Sequence, residues 1–303
     1  MKLAVVIPYF KIHFFRKTLI SLESQTNQNF SVYIGNDASP EDPMEVINEF
    51  TEKLDINYFK FENNVGCRSL TEQWHRCLNK VDQVEWVMIL GDDDVLDRNC
   101  ISDFYSHVEE VEKRKINVIR YASLVIDSED NPLSIIYTHP EIENSVSFLF
   151  RKVSGKTRSS LSEYIFRRTE VQKKFKDFPV GWHSDDLALL EISDFKSIFT
   201  INSSIVSVRL SDVNISGQKK LLRLKNKGSF KFYNYLLTKH GERFTNQQKE
   251  IFYKKCEKTV LNDKKNLSLF FQLSITYLRD LKLYSYFSFL NSLLLSTLYA
   301  DRH

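Results

Sequence analysis

Between residues 3 and 90, short apolar runs alternate with helix-spaced stripes, and each run closes in a polar or glycine-bearing turn. Residues 3–7, 30–34, 56–61 and 84–90 read as strands, apolar, β-branched or aromatic and of strand length. Residues 14–25, 44–54 and 69–78 read as the helices between them, with Phe15, Leu19 and Leu22 on one stripe of the first. Such alternation over short connections predicts an α/β fold, a mostly parallel central sheet flanked by helices. In sheets of this kind ligands bind beyond the carboxyl ends of the strands. Pro8, Asp37, Asn64 and Asp92-Asp93-Asp94 all fall at those ends, so topology alone gathers them on one edge.

Past residue 100 the pattern loosens. Residues 116–127 and 198–210 read as strands and 160–168 as extended, with an irregular stretch at 128–158. A turn-rich loop at 178–186 opens a helix through 187–192. From about Gly217 the chain turns to lysine-rich, leucine-spaced helices with a break at His240-Gly241. The expected organisation is an α/β region over 1–216, in two parts (1–100 and 101–216), then a helical region over 217–303.

Composition excludes several classes. A hydrophobic fraction of 42% supports a sizeable core, while only 8 glycines argue against glycine-rich cofactor loops. No GxGxxG follows the first strand, which removes the dinucleotide oxidoreductases. The four cysteines (Cys67, Cys77, Cys100, Cys256) have neither zinc-knuckle nor CxxC spacing and are expected as reduced thiols. The apolar N-terminal stretch is short and interrupted by Pro8, so it reads as a strand rather than a leader. Residues 283–300 lack any charge but include Asn291 and several serines. A packed or peripheral helix is expected there rather than a span, with the lysines before it suited to an anionic surface. A dimer interface would explain the same residues.

Three adjacent carboxylates at a buried strand's exit repel one another unless water or a cation screens them. Oxygen-only ligation suits Mg²⁺ or Mn²⁺; a solvated acidic turn is the simpler alternative. Asp37 can accept hydrogen bonds from a base or ribose, or can form an Asx turn. Gly66 would let backbone approach a ligand. Arg68 suits either a phosphate or open solvent. Ser184, Asp185 and Asp186 suit a helix N-terminus on capping and dipole grounds.

Four segments together carry a resemblance: Val5-Val6-Ile7-Pro8-Tyr9-Phe10, Ile34-Gly35-Asn36-Asp37-Ala38-Ser39, Glu62-Asn63-Asn64-Val65-Gly66 and Ile89-Leu90-Gly91-Asp92-Asp93-Asp94. In that order the chain resembles a family 2 inverting glycosyltransferase of the GT-A fold, the nucleotide-diphospho-sugar transferase fold, well over 1–100 and fairly to about 217. The resemblance implies that Pro8, Tyr9, Asp37, Asn64, Gly66, Arg68, Asp92 and Asp93 bind the nucleotide, with UDP preferred. It implies a Mn²⁺ or Mg²⁺ ion on Asp94 and Asp92, a DxD shifted by one because Gly91 stands at the usual first acid. Asp185 or Asp186 would be the base, with Trp182, His183 and Arg209 at the acceptor or phosphates. Ser211 stands where many relatives have a histidine; Asp212 or water would replace it, and Ser216 is a further candidate. The implied partners are a nucleotide-sugar donor and a glycan or lipid-linked glycan acceptor in bacterial surface polysaccharide synthesis, and no nucleic acid. The implied location is cytoplasmic or peripheral on the inner membrane face. A non-catalytic binding relative and a sugar-phosphate nucleotidylyltransferase are the alternatives. The latter needs a glycine-rich loop after the first strand, where Pro8-Tyr9-Phe10-Lys11-Ile12-His13 has none.

Overall fold

The computed structural model describes residues 2–172, 174–211 and 217–298. The first part of the chain runs β1 (Leu3–Tyr9), α1 (Phe15–Glu23), β2 (Phe30–Asn36), α2 (Met44–Asn48), β3 (Ile56–Lys60), α3 (Leu70–Leu78) and β4 (Trp86–Ile89). There follow β5 (Val95–Leu96), α4 (Cys100–Lys113), β6 (Val118–Ile126), β7 (Ile142–Asn144), α5 (Ser145–Val153), β8 (Tyr164–Arg167), α6 (Arg168–Val171), α7 (Ser184–Ile192) and β9 (Ser197–Arg209). Among the described residues nine strands join one sheet in the order β3-β2-β1-β4-β8-β6-β9-β5, with β7 also on β9. The ladders β3–β2–β1–β4 and β6–β9 are parallel, and every pair made by β5, β7 or β8 is antiparallel. The expected α/β architecture is present, with its parallel character concentrated in the first four strands and β6–β9.

Alternation explains why β1 and β4 are apolar throughout. Leu3, Val5, Ile7 and Tyr9 pack with Trp86 and Met88 in one core layer; Ala4 and Val6 pack with Val87 and Ile89 in the other. A strand covered on both faces has no position left for a polar side chain. Each such Val, Leu or Ile contributes about 1.5–3 kcal/mol on burial. The register pairs Pro8 with Gly35 and Val6 with Ile89, so the chain leaves β1, β2 and β4 at one edge. Because β2 and β4 lie on opposite sides of β1, a crevice opens beyond β1 and β4, where the strand order reverses.

Several helices depart from the sequence expectation, α5 among them, since residues 128–158 read as irregular. α2 stops at Asn48, where residues to 54 had read as helical. Thr51 Oγ1 donates to Asn48 O (3.2 Å), a local bond that competes with helix propagation. α4 had no counterpart in the sequence reading. Its buried Cys100, Ile101, Phe104, Val108 and Val111 form a clear stripe at helical spacing.

The chain forms two compact units. One comprises residues 1–177 and 184–218; the other comprises residues 178–183 and the chain from Lys219 onward. The second unit consists of α8 (Leu222–Lys239), α9 (Asn246–Asn262), α10 (Leu267–Arg279) and α11 (Leu283–Leu298), with residues 178–183 against α8. Phe230, Phe232, Phe252, Tyr253, Leu273 and Phe289 are among its buried side chains. Among the described residues, no helix is long and apolar enough to cross a membrane.

Candidate active site

A cavity of about 410 Å³ lies at the edge where β1, β2 and β4 end. Pro8, Phe10 and Lys11 line it from the exit of β1, Asp37 from β2, and Ile89 through Asp93 from β4. Asn64, Gly66 and Cys67 close it before α3, which contributes Leu70, Gln73 and Trp74; Leu161, Ser162 and Gln218 complete the wall. Of the expected nucleotide contacts, Pro8, Asp37, Asn64, Gly66, Asp92 and Asp93 line this space. Tyr9 does not. Strand alternation sends its side chain to the opposite face from Pro8, where it packs on Phe15 and donates to Glu41 O (2.9 Å). Arg68 does not either, being exposed in the turn ahead of α3.

Asp37 lines the cavity at the end formed by β2 and the loop before α3. Its carboxylate accepts from the Val65 and Gly66 amides (both 2.8 Å) and pairs with Arg76. Burial raises its pKa, while those amides and Arg76 pull the other way. The Asx-turn function falls to its neighbour: Asn36 Oδ1 accepts from Ser39 N (2.8 Å). That division of labour leaves Asp37 to hold the loop carrying Asn64 and Gly66. Arg76 is itself fixed over the Phe61 ring (3.9 Å) and donates to Asn63 O (3.0 Å). A Cβ at Gly66 would collide with Asp37 Oδ2. Gly66→Ala is therefore expected to push the carboxylate off the Val65 and Gly66 amides and lower the melting temperature, at about 1–3 kcal/mol for each buried donor left without its acceptor.

The three aspartates divide into separate tasks. Asp92 Oδ2 accepts from the Phe10 and Lys11 amides (2.7 and 2.8 Å), tying the exit of β4 to that of β1. Asp94 is 5% exposed; its Oδ1 accepts from Arg209 N (2.8 Å) and its Oδ2 from Ser162 Oγ. Asp93 faces the cavity. Burial, then the charge of Asp93, pushes Asp92 up to about 6 and Asp94 up to about 7. Asp94, expected with Asp92 on the metal, is turned inward to brace the turn, and it is Asp92 and Asp93 that line the cavity. Gly91 makes this possible. A Cβ there would lie 2.9 Å from Asp94 Oδ2 and 3.0 Å from Asp93 Oδ1, in the concavity between two carboxylates. Among the described residues, no group of three or more His, Cys, Asp or Glu is arranged to hold a metal ion. The donor set still suits a hard ion that takes one or two carboxylates and completes its shell with substrate phosphates and water.

Arg209, expected at the acceptor or phosphates, lies behind the acidic turn. Its guanidinium is buried, donating to Asp93 O (3.0 Å) and Asp127 O (2.6 Å), pairing with Asp130 (2.6 Å) and lying over Phe14. It braces the acidic turn from behind rather than reaching phosphate or acceptor. Asp212 and Ser216 lie outside the described residues.

Asp185 and Asp186 open α7. Asp186 is 3% exposed and its Oδ1 accepts from Lys152 and Ser159; Asp185 is half-buried. Burial opposes the charge on Lys152, but Asp186 and then Asp185 outweigh it and raise its pKa. One short segment connects this pair to the cavity. Ser159 Oγ bonds Asp186, while Ser162 Oγ bonds Asp94 and accepts from Gly91 N (3.0 Å). Ser159 and Ser162 are three residues apart, so their Cα atoms are separated by at most about 10 Å. The two acid groups therefore sit at the two ends of one strut.

Ser160 and Glu163 close that strut as a capping box. Burial pushes Glu163 up to about 7, against the pull of Arg158 and Arg120. A carboxyl raised in the folded state contributes stability below its unfolded pKa and loses it as pH rises through the folded value. The melting temperature is expected to fall as pH rises through about 7, and Glu163→Gln should flatten that part of the profile.

Trp182 and His183 belong to the helical unit. There the Trp182 ring faces Lys225 (5.0 Å) and His183 stacks on Phe232 (4.7 Å) and meets Ser229 Oγ (3.1 Å). The sequence reading passed over Arg76, Ser162 and Lys152. For the first, Gln73 and Trp74 recurring three and four residues after Leu70 mark the cavity face of α3. For Ser162, the Ser160-x-x-Glu163 box was the available signal. Lys152 carries none.

Residues 4–176 match the family profile of glycosyl transferase family 2. The chain belongs to that family, and its fold is GT-A. No curated protein matches it. Among solved structures it is similar to S. aureus TarS, with TM-score 0.60 and 14% identity over 86% of this chain and 43% of that one. It thus spans less than half of that TarS chain. TarS 1–349 in complex with UDP-GlcNAc gives TM-score 0.56 and 13% identity, over 86% of this chain and 81% of that one. The UDP complex of the same piece gives 0.52 and 14%, over 86% and 80%. At such identities the likeness shows the fold alone.

Proposed function

We propose that the protein transfers a sugar from a UDP-sugar to an acceptor hydroxyl with inversion, and that the acceptor is a glycan or lipid-linked glycan of a bacterial surface polysaccharide. The observation that carries this reading is the strut at 159–162, which ties a cavity bearing Asp92 and Asp93 to the acid pair opening α7. The base and ribose lie towards Asp37, Asn64 and Gly66, and the diphosphate towards Asp93 and Asp92. Those two carboxylates would hold Mn²⁺ or Mg²⁺, which when bound neutralises the charge growing on the departing nucleoside diphosphate.

Asp185 takes the proton from the attacking hydroxyl. Asp186 is the poorer base because the Lys152 ammonium already compensates its charge. Its role is to hold the start of α7 against the strut. Complexes of TarS with UDP-GlcNAc and UDP support the choice of nucleotide.

A thermal-shift screen of UDP-, GDP- and dTDP-sugars, each with and without Mn²⁺, tests the reading. Cation-dependent stabilisation by a UDP-sugar, followed by UDP release once an acceptor is added, is the expected result. Binding without UDP release from any acceptor would favour a non-catalytic sugar-nucleotide binder. Stabilisation by no nucleotide sugar would remove the transferase reading.

A further inference from the structure

The helical unit is apolar on its outside as well as its inside. On α10, Leu269, Leu273 and Tyr277 are buried, as an amphipathic helix requires. Leu267, Phe271, Ile275 and Leu278 form a second stripe on the same helix, and each is at least 50% exposed. α11 repeats this with Tyr284, Phe287, Leu294 and Leu298, exposed by 90, 66, 59 and 56%. A helix surface facing only water carries polar residues at such positions, and a contiguous apolar face marks an interaction site.

Charge identifies the occupant. Residues 219–298 contain 13 Lys and 3 Arg against 5 acids, a net +11 in a chain whose total is +3. Each of those acids already has a cationic partner: Asp263 with Arg223, Glu242 with Arg243, Glu257 with Lys254, Asp280 with Arg279 and Glu250 with Lys282. The excess is therefore all positive. Lys264 and Lys265 stand just before α10, and neither is among the cations that those acids pair with. Basic residues at the ends of apolar helical stripes keep their charges in the headgroup layer while the stripe enters the acyl boundary. A second copy of this unit would bring the same positive excess against itself, which disfavours a dimer through this face. No described helix is long and apolar enough to span.

We propose that α10 and α11 lie in the plane of an anionic lipid bilayer, their exposed stripes inserted and their terminal lysines on acidic headgroups. The surface would hold the enzyme beside a lipid-linked acceptor. Its existence is independent of the transferase reading, because its test uses no donor.

The test is co-sedimentation of the full chain with vesicles of pure phosphatidylcholine and with vesicles containing phosphatidylglycerol. Binding to the anionic vesicles is expected to be at least roughly tenfold tighter and to weaken as salt rises. Phe271→Ser/Ile275→Ser/Phe287→Ser changes only exposed side chains, so its far-ultraviolet dichroism should match the parent while binding drops roughly tenfold or more. Lys264→Glu/Lys265→Glu should weaken binding by a similar factor, at about fivefold per charge near the surface. Equal affinity for both vesicle types, no affinity for either, or full binding by the triple variant would overturn the proposal. So would a concentration-dependent dimer in sedimentation equilibrium that the triple variant dissolves, since it would assign the face to a second copy.

Discussion

Asp93→Ala is expected to reduce transfer by about 10³-fold or more, equivalent to about 4 kcal/mol of transition-state stabilisation. It is also expected to abolish the dependence of donor binding on Mn²⁺. Asp93 lines the cavity, whereas Asp94 is turned inward onto Arg209 N and Ser162 Oγ. Asp94→Ala should behave differently. It strips Ser162 Oγ and Arg209 N of their acceptor in a buried setting, which costs about 1–3 kcal/mol of stability for each donor left without a partner. The two variants separate by observable: Asp93→Ala keeps the melting temperature and loses the cation effect, whereas Asp94→Ala melts earlier. Transfer by Asp93→Ala at the parent rate would remove that residue from the mechanism.

Asp185→Asn should lower kcat by about 10²–10⁴-fold, the usual worth of a positioned base, with the donor's dissociation constant unchanged. The base acts on the acceptor hydroxyl and makes no bond to the donor that forms before attack. An asparagine at this position retains the size and one acceptor oxygen but takes no proton, so loss without altered binding isolates proton transfer from positioning. Asp186→Asn is expected to cost stability instead, because it leaves the Lys152 ammonium without its carboxylate in a buried setting. If Asp186→Asn lost turnover with an unchanged melting temperature while Asp185→Asn kept it, the two roles would be exchanged.

Strand–helix alternation made the first four strands and their shared edge legible, because doubly covered strands must be apolar at every position. It could not say which of three consecutive aspartates faces the ligand. That depends on the turn at residues 91–94, where Asp94 N bonds Gly91 O (3.3 Å), and on two partners distant in sequence, Ser162 and Arg209. The same long-range dependence hid the function of Arg209. A strand-end arginine looks available to phosphate until Asp93 O, Asp127 O and Asp130 are seen to surround it. For Asp37 the sequence leaves a nucleotide contact and an Asx turn both open. Only the three-dimensional loop reveals that Asn36 forms the Asx turn while Asp37 holds the amides of Val65 and Gly66. The strut at 159–162 escaped notice for a further reason: a single 3₁₀ turn leaves no periodic trace in sequence.

Calorimetric titration of UDP into the parent, Asp93→Ala and Asp185→Asn, each with Mn²⁺ and with chelator, tests most directly whether the two acid groups divide donor capture from proton transfer. Cation-dependent binding that persists in Asp185→Asn and vanishes in Asp93→Ala is the expected result. Mn²⁺-dependent binding by Asp93→Ala equal to the parent's, or binding by all three proteins that chelator leaves unchanged, would contradict it.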